Sequence, residues 1–481
     1  MSKTYLFYDL ETSGLSKPFD QIQQFAGKRL DGEFKEIESR FIEARISPDV
    51  IPSPYAVITH QIDMKDDSGR LSEFHAAQII HEMINTPNTI SIGYNTLGFD
   101  DEFLRFAFYR NLLTPYTHQY ANGCARFDVF PITIFYYLFE NSVIKWPTLD
   151  GKPTLKLEHI VTENDWFQGR AHHAMNDVDA TIKLAAQLQS ANPDMWNYLV
   201  GYFDKNTDHE RIQALPMAFN EHVDLRYGLM VHSKFGAKNA YQGMLLALGN
   251  HNHYKNQTMW LRLDHAELDT LDFDDLSTQG LIIRKKYGEP GFLLPPTDRY
   301  THHLSLTRMK IIARNLEKIR KHFSEIEQLQ RDAREFTYDT IDAVDVDAGL
   351  YDLGFLTGDE QQFCRQFHIA LPHAREAMLN ELKNPNLKAQ AKRVLWREDA
   401  KLLTAEDNIE QMNYLKKMMQ NDAPASVIDF RGQPKRGIYQ AYEEVKAIQA
   451  EMDLDADQQV VLASYKEWLK DKMDDFTKNS C

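Results

Sequence analysis

The sequence predicts an α/β domain with a mixed sheet, followed by a small β-rich unit and an all-helical C-terminal region. Three observations carry this prediction. Apolar strand-like runs alternate with helical patterns over the first 198 residues, the mark of an α/β layer fold. Residues 199–349 open with short strand-like runs separated by His-, Asn- and Gly-rich turns. From residue 350 to 481 nearly every segment has helical periodicity. The expected domains are therefore 1–198, 199–349 and 350–481.

Residues 4–10, TYLFYDL, are apolar and aromatic and predict a buried strand, which Thr12, Ser13 and Gly14 break. A second strand is expected near Glu38–Ile46. Phe74, Ala77, Ile80 and Ile84 recur at helical spacing and predict a helix over 73–84. A strand follows at 89–94, then a helix at 100–113. Residues 126–130 predict a short strand, and 131–139 a helix with Pro131 in its first turn. Helices over 154–162 and 174–189 close the first domain. In the second, strands are expected at 222–232, 241–248 and 258–264, then one long helical stretch over 305–335. The third domain predicts helices at 359–369, 373–383, 387–396, 405–420, 437–451 and 456–473.

Length and composition limit the function classes. A chain of 481 residues exceeds one ordinary core. Hydrophobic residues make up 43% and charged residues 26%, which suits a folded chain and excludes wholesale disorder. No apolar run is long enough to span a bilayer. The start, Met1-Ser2-Lys3-Thr4, leads straight into a strand and shows no secretory signal. Cys124, Cys364 and Cys481 are far apart, support neither a disulfide framework nor a zinc knuckle, and fit a reducing cytoplasm. The net charge of −16 requires any nucleic-acid surface to come from local clustering of cations.

Chemistry concentrates in three acidic segments. Asp9 and Glu11 stand two apart on the first strand and so share a face. Two carboxylates there are costly unless a cation lies between them; the competing reading is a solvated strand end. Asp100 and Asp101 follow the strand TISIGY and open a helix, at the sheet edge where open α/β folds bind ligands. Helix N-terminal charge explains one of the two, not both. In the third segment, Ala171–Asp177, His172 and Asp177 are five residues apart and would not share a helical face. His172 therefore belongs to the preceding loop, with His173 its nearest competitor, and Asp177 to the first turns of the helix. Oxygen-only ligands favour magnesium or manganese over zinc. Two such ions about 3.5–4 Å apart stabilise the attacking and leaving oxygens of an in-line phosphoryl displacement. A histidine titrating near neutral pH can take the proton of the attacking water.

Asp9-Leu10-Glu11, Asn95…Phe99-Asp100 and His172-x-Ala174-x-x-Asp177 together resemble the three motifs of the DEDD exonucleases of the histidine subtype. The stretches 93–116 and 155–185 are closer still to the bacterial exodeoxyribonuclease I family. That resemblance implies an RNase H-like exonuclease domain, an SH3-like β domain and a helical C-terminal domain around a DNA channel. It implies metal ligation by Asp9, Glu11, Asp100 (rather than Asp101) and Asp177, two Mg2+ ions that Mn2+ can replace, and His172 as general base. The implied activity is 3′-to-5′ degradation of single-stranded DNA to 5′-mononucleotides, in DNA repair and recombination. Positions matching Arg105, Tyr116, Tyr120 and Lys156 are implied DNA contacts, Lys156 standing where arginine is commoner and losing a bidentate grip on phosphate. Glu11 and Thr12 are expected to contact the strand as well. The acidic tail of single-stranded DNA-binding protein is an implied partner, with no docking pocket marked in the sequence.

Single strands are held by cations on phosphates and aromatics under bases. Residues 103–120 supply both, with Tyr116 and Tyr120 assigned to stacking and the other aromatics to packing. A second basic cluster, Arg308, Lys310, Arg314, Lys318, Arg320 and Lys321 against Glu317 alone, is expected to line the channel, chiefly through Arg314 and Lys318. A channel built within one chain predicts a monomer. The competing readings are an exoribonuclease or proofreading nuclease, a non-catalytic strand-binding scaffold that would lack a site residue, and a small-molecule phosphatase.

Overall fold

The structure, a computed structural model, describes residues 3–166, 174–219, 225–266, 268, 270–352, 354–419 and 427–479. The first domain holds a five-stranded sheet of β1 (Thr4–Thr12), β2 (Ile22–Leu30), β3 (Glu36–Glu43), β4 (Thr89–Gly93) and β5 (Ala125–Asp128). Their order is β3-β2-β1-β4-β5. β1 runs parallel to β4 and β4 to β5, while β1–β2 and β2–β3 are antiparallel, so the mixed sheet is as expected. The helices are α1 (Pro54–His60), α2 (Glu73–Ile84), α3 (Asp100–Arg110), α4 (Val129–Phe139), α5 (Leu157–Glu163), α6 (Ala174–Ala191), α7 (Pro193–Val200) and α8 (Lys205–Gln213), with a small hairpin of β6 (Thr148–Leu149) and β7 (Lys152–Pro153) before α5.

β1 divides two cores by strand alternation. Leu6, Tyr8 and Leu10 pack with Ile80, Ile84, Phe103 and Phe108 of α2 and α3. Phe7 faces the other way, into the core shared with α4 and α6. Asp9 and Glu11 continue the Phe7 face, so the period of two points both acids towards the α6 side.

β2 escapes the sequence reading because Gln23, Gln24 and Arg29 interrupt its apolar pattern. All three are buried: Gln24 donates to Glu43 at 3.0 Å, the Gln23 amide nitrogen contacts the Met64 sulfur, and Arg29 donates to Thr89 at 2.6 Å. A central strand covered on both faces can carry polar side chains when each finds a partner. β3 begins and ends two to three residues earlier than the expected 38–46.

The second unit is an antiparallel sheet of β8 (Tyr227–Val231), β9 (Gln242–Asn250), β10 (Gln257–Arg262), β11 (Ile282–Lys286) and β12 (Phe292–Leu294), ordered β11-β10-β9-β8-β12. α9 (Phe273–Thr278) and α10 (Asp298–Thr301) lie in its connections. The expected continuous helix over 305–335 is two helices, α11 (Leu306–Lys321) and α12 (Phe323–Glu335), because His322 leaves helical geometry at φ −130° and ψ 50°. Both bury one face against the sheet through Ile312, Ile319, Ile326 and Leu329. Phe292, Leu294 and Val231 of this unit enter the same core as α4 and α6, so the two units are welded by apolar packing.

The helical region contains α13 (Gly358–Ile369), α14 (Pro372–Met378), α15 (Pro385–Glu398), α16 (Ala405–Met419), α17 (Ile438–Glu451) and α18 (Ala456–Asn479). α1 packs between α17 and α18 through Val57 and Ile58. Phe74 of α2 enters the core formed by Phe367, Leu387 and Val394. A buried ionic cluster reinforces this boundary. Arg397 holds Asp49 at 2.6 Å and Asp347 at 2.6 Å, Lys435 holds Asp49 at 2.7 Å, and Arg393 holds Asp345 and Asp347 at 2.6 and 2.9 Å. Three anions meet three cations, so no charge is buried without a counter-charge. Among the described residues, no helix is long and apolar enough to cross a membrane.

Candidate active site

β1 projects its last residues past the end of β4, whose pairing stops at Phe7 and Ile92. Asp9 and Glu11 thus lie at the open end of the parallel pair. α6 crosses this face with Ala174, Val178, Leu184, Ala185 and Leu188 turned inward. That spacing carries Asp177, in its first turn, to the end of β1. A carboxylate oxygen from each of Asp9, Glu11 and Asp177 lies within 4.8 Å of the other two.

Asp100 joins them from α3. Its carboxylate is buried, and the Leu10 backbone N–H interacts with both Asp100 and Asp9. Among the described residues no cation pairs with Asp9, Glu11 or Asp100. The cost appears in their proton affinities. Burial, then repulsion from Asp100, Asp177 and Glu11, pushes Asp9 well above the usual carboxylate range. Burial, then Asp177 and Asp100, raises Glu11 to about 8. Asp100 is likewise driven up, chiefly by burial and then by Asp128 and Asp101. Four like-charged oxygen donors gathered at one strand end fit hard divalent cations such as Mg2+ or Mn2+.

The neighbouring Asp101 behaves in the opposite way. Burial alone would raise it, but Arg126 and Arg105, both at 2.5 Å, with His118 at 3.1 Å, hold it well below the usual range. Asp101 is therefore committed to a structural cluster, and Asp100 is the acid left for a metal.

Asp128 builds the loop that delivers Asp100. It ends β5, caps α4 by accepting from Phe130 N–H at 2.9 Å, and accepts from Asn95 and Leu97 N–H at 2.8 and 3.1 Å. Asn95 takes the left-handed backbone at φ 65°, a conformation asparagine tolerates. Burial raises Asp128 to about 6 against the pull of these donors. Sequence reasoning placed Asp128 only within the strand RFDVF; its position immediately before a helix was the available signal of a cap.

The expected strand contacts occupy varied settings. Thr12 is buried and donates its hydroxyl to the Gly14 carbonyl at 2.8 Å. Arg105 is buried beneath Tyr116, its guanidinium 5.6 Å from that ring. Tyr116 in turn stands 6.4 Å from Phe355, an exposed aromatic that sequence reasoning did not single out. Tyr120 is 70% exposed. Lys156 is exposed and 3.5 Å from Glu158. Arg314 is exposed and donates to the Ala266 carbonyl, and Lys318 is half-buried on the same helix. Arg308 of that basic cluster is instead consumed by Asp264 and the carbonyls of Asn239 and Gln242. His172 and its competitor His173 lie outside the described residues. A cavity of ≈ 310 Å³ opens beside the site, lined by Asn95, Gly98 and Asp128 on one side and by His232, Arg284 and Lys286 of the β unit on the other.

Residues 6–185 match the model of the family described as Exonuclease. The chain is 31% identical to exodeoxyribonuclease I of Escherichia coli over 278 residues, 57% of each protein. It is 32% identical to exodeoxyribonuclease I of Haemophilus influenzae over 216 residues, 44% of this chain and 45% of that one. The matched region thus spans about half the length of these curated relatives. Likeness in fold extends further. Exonuclease I of Methylocaldum szegediense superposes with a TM-score of 0.82 at 23% identity, covering 98% of this chain and all 100% of that one. E. coli exonuclease I in complex with a dA16 oligonucleotide superposes with a TM-score of 0.80 at 21% identity and the same coverage.

Proposed function

We propose that this chain, which carries an exonuclease domain and is related through it to bacterial exodeoxyribonuclease I, is a metal-dependent exonuclease that degrades single-stranded DNA from the 3′ end to 5′-mononucleotides. One observation carries the reading: Asp9, Glu11 and Asp177 converge within 4.8 Å at a strand end, with Asp100 beside them and, among the described residues, no cation paired with Asp9, Glu11 or Asp100. This is a ready site for oxygen-ligated divalent ions. The relatives' name and the oligonucleotide in a structure of the same fold support DNA as substrate.

Asp9, Glu11, Asp100 and Asp177 would hold two Mg2+ ions, with Mn2+ as a possible substitute. Bound ions supply electrostatic stabilisation to the attacking and leaving oxygens of the displacement. The chain's own residues do the rest. β1 and α6 fix three carboxylates on rigid elements, and Asp128 fixes the loop carrying the fourth. His172, immediately before α6, is assigned the proton of the attacking water. Tyr116 and Tyr120 are assigned to bases, and Lys156, Arg314 and Lys318 to phosphates; Arg105 supports Tyr116 from below. The β unit, read as SH3-like, and the helical region would flank the strand. The acidic tail of single-stranded DNA-binding protein is assigned as a partner, in keeping with the structure of SSB and exonuclease I with an inhibitor. The chain is read as a cytoplasmic monomer.

The test is digestion of a 5′-labelled single strand with magnesium, beside a duplex, an RNA and an Asp177→Ala control. Shortening of the single strand alone, abolished by chelator or Asp177→Ala, is the expected result. Digestion of RNA instead would keep the chemistry and overturn the substrate. Tight binding without cleavage under any divalent metal would sink the reading.

A further inference from the structure

Asp101 is linked to the second domain. Arg126 on β5 donates one nitrogen to Asp101 at 2.5 Å and the other to Glu289 at 3.2 Å. Glu289 lies in the connection between β11 and β12, on the wall of the ≈ 310 Å³ cavity that also holds Asn95, Gly98 and Asp128. Lys286 approaches Glu289 at 3.9 Å from the solvent side.

Charge counting gives this link a purpose. Asp101 faces two guanidiniums, Arg105 and Arg126, with His118 against its other oxygen. Asp101 alone cannot neutralise both. Glu289 supplies the second negative charge, and its side chain is only 23% exposed, so solvent screens the pair weakly. Asp101 and Glu289 then face Arg105 and Arg126 behind the first turn of α3, with Lys286 adding a third cation at the outer edge. Without Glu289, the positive charge of Arg126 would have Asp101 alone, shared with Arg105 and His118, one residue from Asp100. That charge would compete for the Asp100 carboxylate and repel an incoming divalent ion. Arg126 would also lose one of the two anchors that fix its fork on Asp101. Residues behind a metal ligand typically tune metal affinity in this way.

We propose that Glu289 is a positioning residue for Asp100, acting across the domain boundary through Arg126 and Asp101, so that the β unit sets the metal affinity of the exonuclease site. The inference rests on the metal-dependent reading of that site. It makes docking of the β unit a condition of metal binding.

The test is calorimetric titration of Mn2+ into the full chain and its Glu289→Gln and Glu289→Asp variants, paired with cleavage at varied Mg2+. Glu289→Gln should weaken Mn2+ binding by about tenfold and raise the Mg2+ needed for half-maximal rate by a similar factor. The KM for single-stranded DNA at saturating Mg2+ should stay near the parent value. Glu289→Asp should recover most of the affinity. Parent-like Mn2+ affinity in Glu289→Gln would overturn the proposal, as would a loss confined to KM for DNA, which would make Glu289 a strand contact only. Should Glu289→Gln fail to fold, Arg126→Lys, which keeps the charge and loses the fork, must show the same metal defect. If the parent binds Mn2+ yet cuts no nucleic acid, the nuclease reading fails while the titrations still decide the role of Glu289.

Discussion

Asp100 and Asp101 are adjacent, both buried, and oppositely provided for: Asp101 has two arginines and a histidine around it, whereas among the described residues Asp100 pairs with no cation and is bordered by carboxylates and backbone N–H groups. Substitution should separate them. Asp100→Asn removes like-charge repulsion, so the metal-free protein should melt at or above the parent temperature while cleavage falls by a factor of about 10² or more. Asp101→Asn takes the paired anion from buried Arg105 and leaves Arg126 with Glu289 alone, and should destabilise by about 3–5 kcal/mol. Thermal melts in chelator and single-turnover rates check both. A destabilised Asp100→Asn beside a neutral Asp101→Asn would reverse the assignment.

Raised carboxylates give the site a pH dependence of definite sign. Glu11 has a folded value of about 8 against 4.5 in an unfolded chain. Between those values the unfolded chain ionises first, so this group costs the metal-free fold stability progressively from about pH 4.5 to pH 8. A divalent ion needs the ionised carboxylates, so its affinity should climb over the upper part of that window. Melting curves with Mg2+ and with chelator should therefore diverge as pH rises from 6 to 8.5. A constant gap over that range would count against the coupled acidic site.

The ionic cluster at the helical boundary predicts the opposite sign. Burial would raise Asp49, but Arg397 and Lys435 hold it well below the usual range, and Arg393 and Arg397 do the same for Asp347. Depressed carboxylates stabilise the fold above their unfolded value near 4, and that stability is lost as pH falls below it. Arg397→Met leaves Asp49 with the Lys435 ammonium and the Tyr414 hydroxyl and should cost about 3–5 kcal/mol. Denaturant melts at pH 7 measure the loss. Because Asp49 is in the first domain and Arg397 in α15, limited proteolysis should also show the helical region loosening first.

The candidate ligands were legible in part because a strand's alternation and a helix's register can be read from residue spacing, while the choice of Asp100 over Asp101 rested on the family resemblance. Asp9 and Glu11 had to share a face, and Asp177 had to stand beside the inward face of α6. The supporting groups were not legible. Asp128, Arg126 and Glu289 act through contacts between segments 25 to 163 residues apart, which no local pattern encodes. β2 was missed for a related reason: its buried glutamines and arginine find their partners on other segments. Arg308 shows the converse. It reads as one cation of a basic face, yet Asp264 claims it; Lys310, Arg314 and Lys318 remain spaced to share a face of α11, with Lys321 of the same stripe paired to Glu317.

That stripe yields the last prediction. Ile312, Asn315 and Ile319 turn inward, so residues 310, 314 and 318 recur every four along the far side of α11. If these cations hold phosphates, reversing Arg314 and Lys318 to glutamate should weaken single-strand binding and flatten its dependence on salt. Each phosphate contact on a single strand contributes a slope of about 0.7 in log K against log salt, so two lost contacts should reduce the slope by about 1.4. Cleavage of a saturating short oligonucleotide should change little, because neither residue belongs to the acidic site. An unchanged affinity and slope would return this face of α11 to ordinary solvated surface and leave Lys156, Tyr116 and Tyr120 to account for the grip on the strand.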